Sequence, residues 1–384
     1  MYRKNIRLLK IFNFLIGFSL FAPLAIIYFS RVSGSYTLGA SIFGITMLAS
    51  AIFEVPTGIW SDRVGRRGTI ILGSWARVIA FILYAIGLSY WWLVVGAILE
   101  GLSRAFYGGN NDAFLHDTLA DDGIEEEYDD HLGKSMASEH LGIAISAVIG
   151  GLIATYSFAY LMWLSVIPQF ILVIVSYFFI SAKSYHQTGS NIYSHLKEAI
   201  KLFIRNKKLR ALSIADAVSF STGEVSYQFR ATFFASIWPV WAIGALNTSL
   251  QLGATLSYYF SSKLLKWFGH EKFLLIRSIV GKVSGLIAFG IPSILSPLIT
   301  IVPSFMYGAG QVAKNTLMQR EFTDYQRATM SSLSSLLSSL SYAIMSVLVG
   351  FYADQTSPQI ALFVLTVIAI PIVGIYWNIF NKRT

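Results

Sequence analysis

Polar side chains recur at helical spacing inside the otherwise apolar run 91–117. Glu100, Arg104, Tyr107 and Asn111 lie within about 40° of one line on a helix with ~3.6 residues per turn. Glutamate four residues before arginine is the favourable order for an ion pair within a helix. An ion pair inside a membrane normally faces a protein interior or a wet cavity. The pattern therefore favours a transport pathway along this face over a simple polar bond between packed helices.

A second polar face lies in the run 209–232, where Asp216, Tyr227 and Arg230 share one stripe and Glu224 lies about 80° away. A carboxylate in a low-dielectric site binds a proton more readily than one in water, and can load and release it as access alternates. The predicted proton-coupling set is Glu100, Arg104, Asp216 and Glu224. The predicted lining of a solute cavity is Phe18, Tyr107, Asn111, Tyr227, Arg230, Gln251 and Lys282.

Other kinds of chemistry lack their residues. Cysteine is absent, there is no GxxxxGK[ST] phosphate-binding loop, and the six histidines are scattered rather than spaced as metal ligands. We therefore expect no enzyme activity, no metal, no cofactor and no direct use of ATP. A receptor or scaffold that moves no solute is the alternative from a different class.

The apolar runs that carry these faces predict membrane spans. Of the residues 55% are hydrophobic and 13% are charged, and the mean hydropathy of +0.60 excludes an ordinary soluble protein. A helix needs about 20 apolar residues to cross the hydrocarbon layer. Twelve such runs follow one another, at 11–30, 38–60, 68–88, 91–117, 135–156, 160–181, 209–232, 238–262, 273–291, 295–318, 328–352 and 358–380.

The distribution of the net charge of +9 indicates topology rather than a nucleic-acid partner. If the N-terminus is cytoplasmic, most of the 29 Lys and Arg fall in cytoplasmic segments, and only Arg31 and Arg230 approach the outer side. This asymmetry is the positive-inside rule, and an even number of spans then places both termini in the cytoplasm. Basic residues within the spans, such as Arg77 and Lys314, could pair with acids or attract an anionic substrate; both interpretations stay open.

A polar segment divides the chain into two halves of six spans. We predict an N-terminal six-helix bundle at 1–181, a cytoplasmic linker at 182–207 and a C-terminal six-helix bundle at 208–384. Apolar residues from Ile192 to Phe203 recur at helical spacing opposite basic ones, which predicts an interfacial amphipathic helix in the linker.

The sequence FEVPTGIWSDRVGRRGTIILG, which links the second and third spans, resembles the signature loop of the major facilitator superfamily, in its prokaryotic branch. The segments GGNNDAFLHDTL and QRATMSSLSSL agree with that resemblance. It implies two pseudo-symmetric bundles, and the loop FSSKLLKWFGHEK in the second half echoes the first when Gly269 is set on Gly65. The echo is incomplete because Lys266 stands where Asp62 stands.

The resemblance also implies a role for the signature loop as a cytoplasmic latch. Gly58 would permit close approach of helices, Gly65 a tight turn, and Asp62 would accept hydrogen bonds at the start of span eleven, near Arg327. The arginines would meet acidic partners or anionic lipid. The predicted gating set is Glu54, Gly58, Asp62, Arg63, Gly65, Arg66, Arg67 and Arg327.

Two further segments bear on direction. Arg104 to Gly108, RAFYG, resembles the RxxxG element of proton-coupled antiporters, and GIAISAVIGG from Gly142 to Gly151 keeps half of a span-five glycine signature of exporters. Close helix packing explains those glycines equally well. The function expected is a monomeric secondary active transporter in the bacterial inner membrane, with small-molecule, proton and lipid partners, driven by the proton gradient and exporting its solute. The alternative is uptake of a nutrient, siderophore or other organic anion.

Overall fold

The computed structural model describes residues 3–181, 207–319 and 327–381. Every regular element in those ranges is helical, which confirms the prediction of an all-α membrane fold. The predicted linker helix between Ile192 and Phe203 lies outside the described residues.

The first half of the chain forms α1 (Arg3–Gly17), α2 (Ala25–Ser33), α3 (Tyr36–Val64), α4 (Arg66–Ile86), α5 (Tyr90–Tyr107), α6 (Asn110–Asp121), α7 (Tyr128–Tyr156) and α8 (Phe158–Tyr177). The described part of the second half forms α9 (Lys207–Phe234), α10 (Val240–Tyr259), α11 (Ser261–Phe268), α12 (His270–Gly290), α13 (Ser296–Ile299), α14 (Tyr307–Gln319), α15 (Arg327–Gln355), α16 (Pro358–Ile368) and α17 (Pro371–Asn381). Short 3₁₀ turns cover Ala22–Leu24, Glu125–Glu127 and Val302–Met306.

Eight helical segments among the described residues are long and apolar enough to cross a membrane. They coincide with predicted spans one, two, three, five, six, nine, eleven and twelve. The other four predicted spans fall on α5 with α6, on α9, on α10 and on α13 with α14. These four are the more polar or interrupted segments, so the total of twelve and the cytoplasmic termini stay predictions.

The first predicted span is a broken helix, and its sequence explains the break. Pro23 has no N–H to donate and its ring clashes with the carbonyl four residues earlier, that of Ser19. The chain leaves the α-helix at Gly17, passes through a 3₁₀ turn and resumes as α2 at Ala25. The break frees backbone carbonyls that an unbroken helix would use internally.

The helices fall into two compact units, each of which takes a short segment from the other half of the sequence. The first comprises Met1–Gly34, Ile45–Thr188 and Val240–Thr248, and the second Ser35–Gly44, Gly189–Pro239 and Ser249–Thr384. In the first unit α4 packs along α5 and α8, and α1 packs along α7. In the second, α9 packs along α15, and α12 along α14 and α16. The predicted boundary of the halves at 182–207 stays a prediction.

Each unit has an apolar interior and an apolar exterior. Phe12, Phe114 and Leu172 are among the buried residues of an apolar cluster in the first unit, and Leu274, Leu317 and Tyr376 belong to one in the second. Many large apolar side chains are exposed on the outside, including Trp91, Tyr156, Trp163, Ile174, Leu348 and Phe351. Outward apolar surface on this scale fits contact with lipid rather than water.

The two loops that echo each other in sequence adopt the same backbone conformation. Gly65 has φ 86° and ψ 157°, and Gly269 has φ 76° and ψ 155°. Residues with a side chain are almost excluded from this region of backbone space. Gly65 directly precedes α4 and Gly269 directly precedes α12. Both turns therefore need glycine for the same reason.

Candidate functional site

A polar network joins the end of α3, the start of α4 and α6. Ser61 donates to Asn110 Oδ1 (2.6 Å), Asn110 donates to the Arg66 carbonyl (3.2 Å), and Arg66 Nη1 donates back to Ser61 (3.1 Å). Arg66 Nε also lies 3.6 Å from the Asp117 carboxylate. The signature loop and the segment GGNNDAFLHDTL, which were singled out separately in the sequence, therefore meet in one site.

The other predicted gating residues are placed as follows. Arg67 donates to the carbonyl of Tyr177 (2.9 Å) and so ties α4 to the end of α8. Glu54 is exposed. A Cβ added to Gly58 would meet no described atom within 4 Å, and the close helix approach expected there stays a prediction. The side chains of Asp62, Arg63 and Arg327 lie outside what the structure describes, so the latch stays a prediction.

Glu100 is a shielded carboxylate with two partners. Arg104 Nη2 donates to its Oε1 (2.7 Å), and the fully buried Tyr84 donates its hydroxyl to Oε2 (2.9 Å). The Glu100 side chain is 12% exposed, whereas that of Arg104 is 49% exposed. The ion pair expected from the spacing is thus formed, with a shielded carboxylate and a half-exposed arginine.

Tyr107 and Asn111 occupy different surroundings from that pair. Tyr107 packs edge-on against Phe12 (5.4 Å between ring centroids) and donates to Ser74 (3.2 Å), inside the apolar cluster that contains Phe12. Asn111 is buried at the start of α6, and its Oδ1 has no hydrogen-bond partner among the described residues.

Arg77 and Gln169 fill the break in the first span. Arg77 is 6% exposed and donates to the freed carbonyl of Ile16 (2.7 Å) and to Gln169 Oε1 (2.8 Å). Gln169 donates in turn to the carbonyl of Phe18 (3.3 Å), and the half-buried Phe18 ring lies 5.5 Å from that of Phe14. Two side chains from α4 and α8 thus satisfy the acceptors that the broken helix leaves open.

The span-five glycines are contact points between helices. A Cβ on Gly142 would overlap the Phe14 carbonyl, and one on Gly150 would overlap the Leu20 carbonyl. Gly151 meets Gly244, whose Cα would lie 3.1 Å from an added Cβ. The packing interpretation of GIAISAVIGG therefore explains these glycines without a role in transport direction.

Asp216 in the second unit is paired. Lys314 of α14 lies 3.1 Å from the Asp216 carboxylate of α9, and both side chains are mostly buried. Among the alternatives left open for Lys314, the geometry shows the ion pair.

Two other cavity candidates of the second unit, Arg230 and Gln251, lie near Tyr227. The Arg230 guanidinium stacks on the Tyr227 ring, 4.6 Å from its centroid, and its Nε has no hydrogen-bond partner among the described residues. Gln251 of α10 and Glu224 lie close enough to Tyr227 to act on it electrostatically, and Glu224 acts on Arg230 as well. The side chains of Glu224, Tyr227, Arg230 and Gln251 are therefore neighbours.

Several polar residues of the spans escaped the sequence analysis: Tyr84, Glu139, Gln169, Arg277 and Asp354. Gln169 and Arg277 carried a usable signal, because a polar residue inside a predicted span is rare and marks a buried contact or a pathway. Tyr84 and Asp354 carried none, because their partners are far apart in sequence.

The site chemistry as described is that of charge pairing and hydrogen bonding within helices. No group of three or more His, Cys, Asp or Glu side chains in the described ranges could hold a metal ion. Burial favours the protonated form of a carboxylate and a cationic partner favours its ionised form, while partly exposed arginines can bind anionic groups.

Comparisons with known proteins agree with this architecture. The sequence profile of the Major Facilitator Superfamily matches residues 8–344. An uncharacterised MFS-type transporter of Bacillus subtilis, YxaM, is 21% identical over 96% of this chain and 93% of its own length. An uncharacterised transporter of Buchnera aphidicola is 28% identical, in a match that spans 50% of this chain and 48% of that protein.

Solved structures share the fold at low sequence identity. The nucleoside transporter NupG superposes with a TM-score of 0.83 at 13% identity, covering 98% of both chains. A bacterial homolog of the human lysosomal transporter Spinster superposes with a TM-score of 0.76 at 14% identity, covering 99% of this chain and 97% of the other. These relatives and folds are those of transporters, not enzymes. The chain is an integral membrane transporter that belongs to the major facilitator superfamily.

Proposed function

We propose that this transporter is a proton-coupled secondary active transporter that exports a small organic solute by alternating access. The observation that carries the proposal is the Glu100 site, a shielded carboxylate on α5 held by Arg104 and Tyr84. The proton gradient, rather than ATP or a bound cofactor, supplies the energy in this proposal.

The geometry of Glu100 gives a physical link between a proton and a movement. When Glu100 is ionised, it holds the Arg104 guanidinium at 2.7 Å. Protonation removes the charge that holds Arg104, while the Tyr84 hydroxyl still has a hydrogen-bonding partner. Because the Arg104 side chain is 49% exposed, its guanidinium can then exchange Glu100 for an anionic or polar group of the solute. Proton binding at Glu100 thus changes which partners Arg104 can take.

The proposed direction rests on the RxxxG element. Gly108 donates its N–H to the Arg104 carbonyl (2.8 Å) and ends α5, so the arginine lies in the last turn before a break in the span. A change in the partner of Arg104 therefore acts next to the break between α5 and α6.

A second candidate function is uptake of a nutrient, siderophore or other organic anion. The observation that favours it is the excess of cations in the spans of the second unit, where Arg230, Arg277 and Lys282 form no ion pair with any described residue. Accumulation of the solute in cells would fall on deletion of the gene if the protein imports, and rise if it exports.

The proposal also includes the protein's location and orientation in the membrane. We place the protein as a monomer in the bacterial inner membrane with both termini cytoplasmic, its exposed apolar faces against lipid and its loop arginines near anionic headgroups. No nucleic acid takes part.

Proton coupling is tested in everted vesicles that report an imposed pH gradient through acridine fluorescence. A panel of metabolites, siderophores and cationic dyes is added, and a transported compound dissipates the gradient. Glu100→Gln should abolish that dissipation, whereas Glu126→Gln, which changes an exposed acid outside the spans, should retain it. Compound-induced proton flux that is equal in Glu100→Gln and wild type would refute coupling through this residue.

A further inference from the structure

Arg277 lies against an aromatic pair within the second unit. Its guanidinium carbon is 5.0 Å from the centroid of the Tyr307 ring on α14. The Tyr258 ring of α10 meets Tyr307 edge-on, with 6.4 Å between their centroids. An arginine held on an aromatic face keeps the edges of its guanidinium, with their N–H donors, available for a further partner.

Gly310 provides the place where this guanidinium lies. A Cβ added to Gly310 would overlap the Arg277 side chain, with Nη1 only 2.7 Å away. Tyr307 and Gly310 are three residues apart, so they share one face of α14. Glycine is therefore required on α14 for Arg277 to occupy this position.

The charges around Arg277 are not balanced by the described residues. Asp216 is the acid whose charge acts on Arg277, and its carboxylate is already engaged by Lys314 at 3.1 Å. Lys282, further along α12, also acts on Arg277 and has no ion pair within the described ranges. Unpaired cations inside a membrane protein are costly unless they face water or bind an anion.

We propose that Arg277 binds the oxyanion of the transported solute, a carboxylate or a phosphate. The planar guanidinium donates two parallel hydrogen bonds to such a group, a geometry that lysine cannot reproduce. The inference rests on the proposed transport of an organic solute and names its class: an organic oxyanion.

The test is thermal unfolding of the purified full chain with defined probes, because it needs neither a gradient nor a known substrate. The probes are succinate, benzoate and inorganic phosphate, with succinamide and benzamide as uncharged controls. At least one oxyanion should raise the Tm of the wild-type protein, and the amides should not. Arg277→Gln should abolish the rise, and Arg277→Lys should leave a weaker one.

Two further variants separate position from charge. Gly310→Ala keeps every charge but displaces the guanidinium, so it should also weaken the stabilisation. Lys263→Gln removes an exposed cation of the same unit, on α11, and should leave the rise unchanged. Each variant is compared with its own ligand-free Tm, so that a loss of stability is not mistaken for a loss of binding.

The proposal is wrong if no oxyanion stabilises the wild type, or if Arg277→Gln and Arg277→Lys respond as the wild type does. Absence of proton flux in the vesicle experiment, with Arg277-dependent stabilisation retained, would instead overturn proton coupling alone.

A second inference comes from a different place, the start of α3. The Asp354 carboxylate at the end of α15 accepts from the backbone N–H groups of Tyr36 (2.7 Å) and Thr37 (2.9 Å), and from the Thr37 hydroxyl (2.5 Å). A carboxylate at a helix N-terminus satisfies free N–H groups and favours the helix dipole. Gly350 lets the same helices approach, because a Cβ there would lie 2.7 Å from the Tyr36 carbonyl.

This contact mirrors the predicted latch of the signature loop. Asp62 stands near the end of α3 and is expected to cap the start of α15, whereas Asp354 stands near the end of α15 and caps the start of α3. We infer that Asp354 is a gating residue that holds the outer ends of α3 and α15 together, as the counterpart of Asp62 on the cytoplasmic side.

Because the chain has no cysteine, one introduced thiol reports on this contact. Ser346→Cys is nearly isosteric, and Ser346 is 2% exposed on α15, with its Oγ 3.1 Å from the place of a Cβ on Gly44 of α3. Adding Asp354→Asn should speed labelling of that thiol by a membrane-impermeant maleimide at least several-fold, and Thr37→Val should give a smaller increase.

Asp122→Asn, a change of an exposed acid elsewhere, should leave the labelling rate as it was. An unchanged rate with Asp354→Asn would rule out the gating role. The readout does not depend on solute flux, so it stands or falls separately from the proposed function.

Discussion

Buried charges in the first unit are held by two different kinds of partner. Arg77 is fixed by neutral acceptors, the Ile16 carbonyl and Gln169, whereas Glu100 is fixed by a charged guanidinium and a tyrosine hydroxyl. A charge held by backbone carbonyls cannot be released by protonation of its partner. Arg77 therefore serves the structure of the broken helix, and the proposed proton coupling assigns the switch to Glu100.

Replacing Arg77 tests this division at the level of stability. Arg77→Met removes the donors to Ile16 and Gln169 and leaves two buried acceptors unsatisfied, which costs about 2 kcal/mol or more. We expect a clear loss of thermal stability in detergent, only partly rescued by Arg77→Lys, which keeps the charge but lacks the fork of donors. Arg7→Gln, at an exposed position of α1, is the matched control. A wild-type Tm for Arg77→Met would show that the break is held by other contacts.

At the scale of elements, glycines decide how closely the helices approach. Gly142 and Gly150 of α7 face carbonyls of the broken first span, while Gly133 of the same helix has nothing described within 4 Å of an added Cβ. One helix thus carries two glycines at which helices approach closely and one at which they do not. Substituting each kind tests whether close packing explains the glycines.

Alanine at these positions gives a direct comparison. Gly150→Ala should destabilise the protein by about 1–3 kcal/mol, the usual range for overpacking, because its Cβ overlaps the Leu20 carbonyl. Gly133→Ala should be unchanged or slightly stabilised, since alanine favours a helix by up to about 1 kcal/mol. Thermal unfolding of both variants is the measurement. A stable Gly150→Ala protein that has lost only transport would restore the exporter interpretation of this motif.

The paired turns give a second prediction at this scale. Gly65→Ala and Gly269→Ala each force a side chain into a backbone region that favours glycine, at about 1–3 kcal/mol. Gly281→Ala, inside α12 with open space around it, is the control. Lower Tm values for both turn variants, with Gly281→Ala unaffected, would be the expected result. Equal stability of all three would mean that the turns relax to another conformation.

The sequence predicts the helices and the charge pairs more readily than the contacts that hold helix breaks and helix ends. Apolar runs are a local signal and predict the helices. The spacing of Glu100 and Arg104 is also a local signal and predicts their ion pair. The role of Gln169 depends on a break in another span, and that of Asp354 on the backbone of Tyr36, so neither follows from local pattern. Arg277 lay inside a predicted span and was identifiable as a rare intramembrane cation.

At the scale of the whole molecule, the topology links every one of these sites to a side of the membrane. Twelve spans with cytoplasmic termini would put the network of Arg66 and Asp117 on the inner side, and the Asp354 contact on the outer side. With a different number of spans, these two sites need not lie on those sides of the membrane. The two proposed gates therefore depend on the topology as much as on their own contacts.

Fusions of alkaline phosphatase, which is active only outside the cytoplasm, test that topology. Fusions after Leu88 and after Leu295 should be active, because both positions follow an outward span, whereas fusions after Asp122 and after Thr384 should be inactive. Green fluorescent protein at the same positions should give the opposite pattern. Activity after Thr384 would contradict twelve spans with a cytoplasmic N-terminus, the topology on which the assignment of the Asp62 and Asp354 gates to opposite sides rests.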